Sequence, residues 1–226
     1  MTERLAPTDE ADAAGFVLAG GQSRRMGRDK ALLPFAGRPL IARALATLRE
    51  AGLPAAIAGA DQAANSALAT YAPIVPDPQP GLGPLAGICA ALEAASTRFV
   101  VILPIDLPLL PTSLVAYMLH HARITGCAVT VPSVNGFAQT FPVVLVRSAL
   151  PALRAELHSG KLGCFSAFQA AAESFGQPIA VVPVEMLAQS GQIAHPFGLA
   201  PVRWFLNVNT PQDLGRAELL SSRAIA

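Results

Sequence analysis

Short apolar runs alternate with longer stretches of helical periodicity along the chain. The apolar run from Gly15 to Ala19 is followed by Gly20 and Gly21, which is typical of a buried strand that enters a tight turn. Pro39 then precedes apolar residues repeated at helical spacing, and Gly52 supplies a stop signal. These positions predict a first βα unit.

The same alternation continues to the end of the chain. We predict further strands at residues 55–58, 74–75, 98–103, 127–132, 142–146, 179–184 and 204–208. We predict helices near residues 62–71, 84–95, 114–122, 148–157 and 163–175, and a last helix with Thr210 as N-cap and Pro211 at its first position. Residues 185–203 have no clear period, so we expect a long loop or insertion there. The alternation predicts an α/β fold with a mostly parallel sheet covered by helices on both faces.

The composition indicates a globular chain. Of the 226 residues, 52% are hydrophobic and 14% are charged, unlike a disordered segment. The most apolar stretch, Phe99 to Leu110, is interrupted by prolines and an aspartate and falls short of the ~20 apolar residues that span a bilayer. The first fourteen residues have no apolar run typical of a secretory signal. We expect a flexible leader at 1–14, one domain at 15–226, and a cytoplasmic monomer without a membrane segment.

Charge and cysteine content exclude several function classes. A net charge of +1 gives no basic field for general nucleic-acid binding. The three cysteines are widely spaced without a C-x-x-C pair, so neither a disulfide framework nor a zinc site is indicated. The spacing of the four histidines marks no site, and we expect them to be structural or surface residues. Small anionic ligands remain compatible with the composition.

A glycine-rich turn follows the first strand. The segment from Leu18 to Lys30 reads LAGGQSRRMGRDK. Glycines let backbone N–H groups approach and surround an anion, and the basic residues Arg24, Arg25, Arg28 and Lys30 can offset phosphate charge. The segment matches neither the P-loop nor the dinucleotide-binding fingerprint. It predicts a polyphosphate site, and an ordinary glycine turn beside a solvated basic face is the alternative.

An aspartate follows the most strongly β-branched strand. Asp106 comes shortly after the run Val100 to Leu103 and just before Leu107-Pro108. Open α/β sheets bind ligands at the carboxyl ends of their strands, and a carboxylate is a preferred ligand of Mg²⁺. A turn or cap before Pro108 is the alternative role.

Four motifs in this order resemble the molybdenum cofactor guanylyltransferases, the MobA-like nucleotidyltransferases. They read LAGGQSRRMGRDKALL, GPLAG, PIDLP and NVNTPQDL, and the resemblance covers about residues 15–220. It implies a Rossmann-like, doubly wound fold of the nucleotide-diphospho-sugar transferase (GT-A) type. It also implies Mg²⁺-dependent transfer of GMP from GTP to molybdopterin, with release of pyrophosphate. Residues 15–110 would form the nucleotide-binding half and residues 111–226 the acceptor half.

The resemblance assigns roles to residues of the glycine-rich turn and of the loop before residue 84. Lys30 matches the GTP-binding lysine, and Arg25 is a second candidate for phosphate contact. Asp77 stands where the family has a nucleotide-contacting aspartate, although a turn-forming role explains an aspartate there equally well. The matching backbone positions are Leu18, Ala19, Gly20 and Gly21 in the turn, and Gly83, Pro84 and Gly87 in the loop beneath base and ribose.

The resemblance also assigns the metal site. Asp106 matches the magnesium ligand. Asn209 resembles the asparagine that completes the metal site in related sugar nucleotidyltransferases, with Asn207 as the alternative. A polar cap before the last helix would explain the asparagine as well.

Two positions depart from the family pattern. Ala58 stands in the stretch where an asparagine is common at the end of the second strand, so one base or ribose contact is expected to differ. Phe141 replaces the histidine of a common His-Pro pair in the acceptor half, which leaves the acceptor open. The basic residues Arg147, Arg154, Lys161 and Arg203 are candidate acceptor contacts on charge alone.

Three rival functions stay open. The nearest is a cytidylyltransferase for the same pterin, although the two glycines after Leu18-Ala19 resemble the guanylyl branch. Transfer to a sugar phosphate is a second rival. The third is a non-catalytic protein that delivers the cofactor to a molybdoenzyme or to another delivery protein.

Overall fold

The computed structural model describes residues 12–19, 30–60, 65–77, 79 and 81–222. Its main sheet contains the strands β1 (Ala13–Leu18), β4 (Ala55–Ala60), β5 (Ile74–Pro76), β6 (Phe99–Pro104), β7 (Val129–Val134), β8 (Phe137–Ala138), β9 (Val143–Val146) and β10 (Ala180–Pro183). A small antiparallel pair, β2 (Pro34–Phe35) and β3 (Arg38–Pro39), lies before the first long helix.

The sheet is mixed and mostly parallel. Its strand order is β10-β7-β9-β6-β1-β4-β5, and β8 pairs with β7. Strand β9 runs antiparallel to both of its neighbours, whereas β1, β4, β5 and β6 pair in parallel. The predicted α/β fold with a mostly parallel sheet is confirmed.

Helices cover the sheet. The described helices are α1 (Leu40–Glu50), α2 (Asn65–Leu68), α3 (Pro84–Ala94), α4 (Thr112–Thr125), α5 (Leu150–His158), α6 (Cys164–Ser174), α7 (Val184–Gln189), α8 (Pro201–Trp204) and α9 (Pro211–Ser222). Glycine in β1 allows the close approach of α1, because a Cβ on Gly15 would lie 2.7 Å from Cδ2 of the buried Leu48 and would force that side chain to shift. In the ranges that the structure describes, no helix has the length and apolar character that crossing a bilayer requires.

The segment from residue 184 to residue 209 differs from the prediction. The expected loop at 185–203 contains α7 and α8, and the expected strand at 204–208 is wrong because Trp204 ends a helical turn. The chain that follows lies across the sheet edge, and Val208 donates to the Asp106 carbonyl at 2.9 Å. Long-range contacts, rather than a local period, determine the path of this segment.

The carboxyl ends of three parallel strands meet at one edge. Leu18 pairs with Ala58 on one side and with Pro104 on the other. The chain therefore leaves β1, β4 and β6 at neighbouring points. This edge is where the sequence predicts both the phosphate turn and the metal ligand.

Candidate nucleotide site

Three polar side chains from distant parts of the chain converge at this edge. The Lys30 ammonium lies 2.9 Å from Oδ1 of Asn209 and 3.4 Å from Oδ2 of Asp106. The side chains of Lys30 and Asp106 are 11% and 28% exposed, so the pair is shielded but reachable. The predicted proximity of Lys30 and Asp106 is therefore present in the fold.

Different elements position the members of this group, which we call the Lys30 triad (Lys30, Asp106 and Asn209). Lys30 begins a single 3-10 turn that leads into β2, and its carbonyl accepts from Leu33 at 3.2 Å. Asp106 stands two residues beyond the end of β6. Asn209 stands two residues before the first residue of α9, next to the N-cap Thr210. The triad thus joins the first, middle and last parts of the described chain.

A capping box fixes the entry to α9. Thr210 Oγ1 accepts from the Asp213 amide at 3.1 Å, and Asp213 Oδ2 accepts from the Thr210 amide at 2.9 Å and from the Asn209 amide at 3.1 Å. The Thr210 hydroxyl also donates to this Oδ2 at 2.8 Å. That bond first, and then the two amide bonds to the carboxylate, lower the pKa of Asp213 below its ordinary value. The predicted N-cap is confirmed, and it holds the backbone of Asn209.

The two candidate asparagines differ in their contacts. Asn209 reaches the Lys30 ammonium, whereas no hydrogen bond of the Asn207 side chain occurs among the described residues. Both asparagines are exposed and Val208 between them is buried, so the contact with Lys30 is what distinguishes Asn209. The geometry thus favours Asn209 as the asparagine of this site.

Part of the predicted phosphate turn lies within the described chain. Leu18 is 6% exposed, and Ala19 donates to the Ala58 carbonyl at 3.0 Å. Gly20, Gly21 and Arg25 lie outside the described residues. Their roles as an anion nest and a second cation stay predictions.

Asp77 forms a local turn. Its Oδ1 accepts from the Gln79 amide at 2.8 Å, which is the turn-forming role that the sequence left open. Asp77 also lines a cleft between α3 and α5, together with Gln79, Cys89, Arg154 and His158. The contact predicted with the nucleotide stays a prediction.

Gly83, Pro84 and Gly87, at the start of α3, have structural roles. Gly83 precedes the helix with φ of 79°, which L side chains rarely adopt, and Pro84 is its first residue. A Cβ on Gly87 would lie 3.2 Å from Cδ2 of Leu18 and 3.3 Å from Cα of Gly59. Gly87 therefore lets α3 pack closely against the ends of β1 and β4.

The two departures from the family pattern are both packed. Ala58 is fully buried and its carbonyl holds Ala19, so its side chain faces the interior rather than the edge. Phe141 packs edge-on against Phe168 at 6.4 Å between ring centroids. Neither side chain supplies a polar contact for a ligand.

The four candidate acceptor cations are dispersed. Arg147 donates its amide to the Arg98 carbonyl at 2.8 Å, beside the N-terminal end of β6. Since β6 has six residues, Arg147 and Asp106 lie roughly 20 Å or more apart, at opposite edges of the sheet. Arg147 thus lies far from the Lys30 triad, and its contact with the acceptor stays a prediction. Arg154 pairs with Glu93 at 2.7 Å, Lys161 pairs with Glu156 at 3.5 Å, and Arg203 is exposed on α8.

The triad has the donor atoms of a magnesium site. Mg²⁺ is commonly held by one or two carboxylates together with substrate phosphates and water. Asp106 and Asn209 present two hard oxygen atoms around the Lys30 ammonium, so the position between them already accommodates a cation. The described residues contain no group of three or more His, Cys, Asp or Glu side chains that could hold a metal alone. The oxygens therefore fit an ion completed by a phosphate ligand.

The described part of the chain presents no activated thiol at the site. Burial raises the pKa of both Cys89 and Cys164 to about 11, which keeps these thiols protonated near neutral pH. A covalent mechanism through either cysteine is therefore disfavoured. The arrangement suits transfer between bound substrates.

Comparison with known proteins identifies the family. Residues 15–175 match the family model of the MobA-like NTP transferase domain. The probable molybdenum cofactor guanylyltransferase of Haloferax mediterranei is 31% identical over 99% of this chain and 100% of its own length. The molybdenum cofactor guanylyltransferase of Rhodobacter capsulatus is 34% identical over 91% of this chain and 94% of its own.

A solved structure supports the fold. The molybdopterin-guanine dinucleotide biosynthesis protein A of Archaeoglobus fulgidus superposes with a TM-score of 0.74 and 24% identity, over 93% of this chain and 99% of that one. Fold, motif order and near full-length relatives agree. The chain belongs to the MobA-like NTP transferase family and is a nucleotidyltransferase.

Proposed function

We propose that this protein transfers GMP from GTP to molybdopterin, releasing pyrophosphate and forming the molybdopterin guanine dinucleotide cofactor. The observation that carries the proposal is the convergence of Lys30, Asp106 and Asn209 at the carboxyl edge of the sheet. Relatives that cover almost the whole chain bear the guanylyltransferase name.

Lys30 is the proposed phosphate-binding cation. Its ammonium is largely shielded from solvent, which strengthens its interaction with an anion. Its partners are a carboxylate and an amide oxygen, and a triphosphate would offer it more acceptor oxygens of higher charge. The ammonium would then offset the charge that develops on the departing pyrophosphate.

Asp106 and Asn209 are the proposed magnesium ligands. When bound, the ion would supply charge neutralisation on the phosphates. The backbone of Asp106 is held by Val208 and that of Asn209 by Asp213, so the chain positions that carry the two oxygens are held before substrate arrives. Such preorganisation reduces the cost of ordering the site during the reaction.

The proposed nucleophile belongs to the acceptor. A phosphate monoester of the acceptor would attack the α-phosphorus in line, forming a phosphoric anhydride as the bond to pyrophosphate breaks. Such a phosphate is already ionised near neutral pH, so no protein base has to remove a proton. This agrees with a triad that contains a cation, a carboxylate and an amide but no histidine or thiol.

Multiple-turnover release of pyrophosphate tests the proposal. With GTP, Mg²⁺ and molybdopterin, the full-length protein should release several equivalents of pyrophosphate and should not do so without the acceptor. Replacing molybdopterin with sugar phosphates tests the sugar rival. A single equivalent or none, despite bound GTP, would support a delivery protein instead.

A thermal-shift comparison tests the choice of base. A nucleotide that binds only the folded state raises the melting temperature by mass action. GTP with Mg²⁺ should stabilise the protein more than CTP at the same concentration. A larger shift with CTP would favour the cytidylyltransferase rival.

A further inference from the structure

In the loop that carries Asp106, three backbone carbonyls accept hydrogen bonds from residues outside the loop. Val208 donates its amide to the Asp106 carbonyl at 2.9 Å, His195 bonds the Leu109 carbonyl at 3.0 Å, and the Arg43 guanidinium donates to the Pro108 carbonyl. Two of these three contacts come from residues 193–209, which we call the clamp segment. The same segment ends in Asn209 of the Lys30 triad.

The hydrogen bonds of His195 define its tautomer. Nδ1 accepts from the Phe197 amide at 3.1 Å, so the ring proton resides on Nε2 and is donated to the Leu109 carbonyl. His195 is 7% exposed, and its ring packs against Phe197 and Trp204 at centroid distances of 5.5 and 5.9 Å. Both ring nitrogens are thus used and the ring is fixed on two sides.

Further contacts fix the clamp segment against the start of α4. Ser113 donates its hydroxyl to the Ala194 carbonyl at 2.7 Å, and the Ala194 amide lies 3.2 Å from that hydroxyl oxygen. Trp204 is 1% exposed and donates its indole N–H to the Leu199 carbonyl at 2.7 Å. His195 therefore extends from an anchored segment toward the Asp106 loop.

Leu109 and Val208 are fully buried in one apolar cluster beneath the triad. This packing resists separation of the loop from the clamp segment but does not fix the orientation of the peptide groups. Directional hydrogen bonds at Asp106 and Leu109 supply that orientation. Metal sites need their ligands held within about 0.5 Å, so loss of one such bond should be felt at the ligand oxygens.

We propose that His195 is a positioning residue of the nucleotide site. Its bond to the Leu109 carbonyl orients the loop that carries Asp106. Asn209 lies on the same clamp segment as His195, so this bond sets the position of Asp106 relative to Asn209. This inference rests on the proposed function for the meaning of the site, and His195 touches neither nucleotide nor metal in it.

Two substitutions separate the hydrogen bonds from the packing. His195→Phe retains an aromatic ring beside Trp204 but removes both hydrogen bonds. His195→Gln retains an amide N–H that can reach the Leu109 carbonyl. Leu153→Ala removes a fully buried side chain from α5 and serves as a control for general loss of stability.

The first measurement is amide hydrogen exchange over residues 106–111, followed by mass spectrometry without any ligand. His195→Phe should raise exchange there at least tenfold, while His195→Gln should stay closer to the unsubstituted protein. Leu153→Ala should change this stretch no more than the rest of the fold. Equal protection in the unsubstituted protein and His195→Phe would overturn the inference.

The second measurement is the affinity for GTP in the presence of Mn²⁺, by titration calorimetry. His195→Phe should weaken binding about 10- to 100-fold, as substitutions behind metal ligands do, and His195→Gln should restore most of it. Binding by His195→Phe as tight as that of Leu153→Ala would overturn the positioning role. If the unsubstituted protein does not bind GTP, the proposed function fails, and the exchange comparison still decides whether His195 holds the loop.

Discussion

The Lys30 ammonium lies between the Asp106 carboxylate oxygen and the Asn209 amide oxygen and supplies the positive charge at this position. Its ammonium contacts the Asp106 carboxylate and the Asn209 amide in a shielded position. A negative carboxylate in such surroundings favours a nearby positive charge. The ammonium therefore balances the triad in the unliganded protein, and in the proposed function it would also provide the cation that a triphosphate requires.

Replacing Lys30 with an uncharged side chain should separate these two roles. Lys30→Met should lower kcat/KM by about 10²- to 10³-fold, because a charge that stabilises the departing pyrophosphate is lost. It should at the same time strengthen binding of Mn²⁺ without nucleotide, because the ammonium no longer competes for the two oxygens. Electron paramagnetic resonance of free Mn²⁺ measures the second effect, and unchanged Mn²⁺ affinity would contradict it.

The carboxylate can be tested with almost no change in shape. Asp106→Asn should remove the dependence of nucleotide binding on a divalent ion while leaving the melting temperature within a few degrees. The expectation follows because an amide cannot supply the charge that Mg²⁺ prefers. Titration of GTP with and without Mg²⁺ provides the measurement. A variant that still binds GTP more tightly with Mg²⁺ would show that the ion is held elsewhere.

His195 should make the stability of the fold sensitive to acid. Burial, reinforced by the charge of Arg43, lowers the pKa of His195 below its ordinary value of 6.5, although its bond to Leu109 opposes the shift. The unfolded chain then binds the proton more readily than the folded one. The neutral, buried imidazole therefore contributes its full stabilisation of the fold above pH 6.5. This contribution is lost as the pH falls from 6.5 toward the lowered pKa.

Urea unfolding between about pH 8 and about pH 5 measures this effect. The free energy of unfolding should fall more steeply with acid in the unsubstituted protein than in His195→Phe, which has no imidazole to protonate. Parallel curves for the two proteins would show that His195 titrates alike in the folded and unfolded chain.

The sequence could predict Lys30 and Asp106 as neighbours but could not predict His195. Parallel strands place their carboxyl ends at one edge, so the basic segment that follows β1 and ends in Lys30 is expected at the same edge as Asp106, which follows β6. The role of His195 depends on burial against Trp204 and on a carbonyl far away in sequence. No local pattern specifies either partner.

At the scale of elements, the start of α9 couples helix stability to the site. Thr210 and Asp213 form the capping box, and their contacts also hold the Asn209 amide. The sequence predicted this cap because Thr-Pro-Gln-Asp is a local signal. The strand expected just before it is absent because its apolar residues pack into a cluster instead of a ladder.

Removing the cap should affect both helix and ligand. Thr210→Ala should lower the free energy of unfolding by about 1 kcal/mol, the usual cost of losing an N-cap hydroxyl. It should also weaken Mn²⁺-dependent GTP binding several-fold, because the Asn209 backbone loses part of its support. Thr210→Ser retains the hydroxyl and is the matched control. Equal GTP affinity in Thr210→Ala and Thr210→Ser would show that the capping hydroxyl does not affect nucleotide binding.

The whole molecule brings three remote segments to one edge of a mixed sheet. The described chain forms the edge with β1, β4 and β6, the small cluster around Leu109 and Val208 supports it, and α9 closes it. Relatives that match over nearly their full length share the family of this chain. Its alternating pattern was enough to predict the layers, whereas the path of residues 184–209 depends on contacts with residues far away in sequence.

The central claim is that one pocket holds a triphosphate through Lys30 and through a divalent ion on Asp106 and Asn209. A crystal structure with GTP and Mn²⁺ tests it most directly, because anomalous scattering locates the ion independently of the phosphates. We expect the ion on the Asp106 carboxylate and the Asn209 amide oxygen, with the Lys30 ammonium moved onto a phosphate oxygen. An ordered triphosphate bound away from all three side chains would contradict the account.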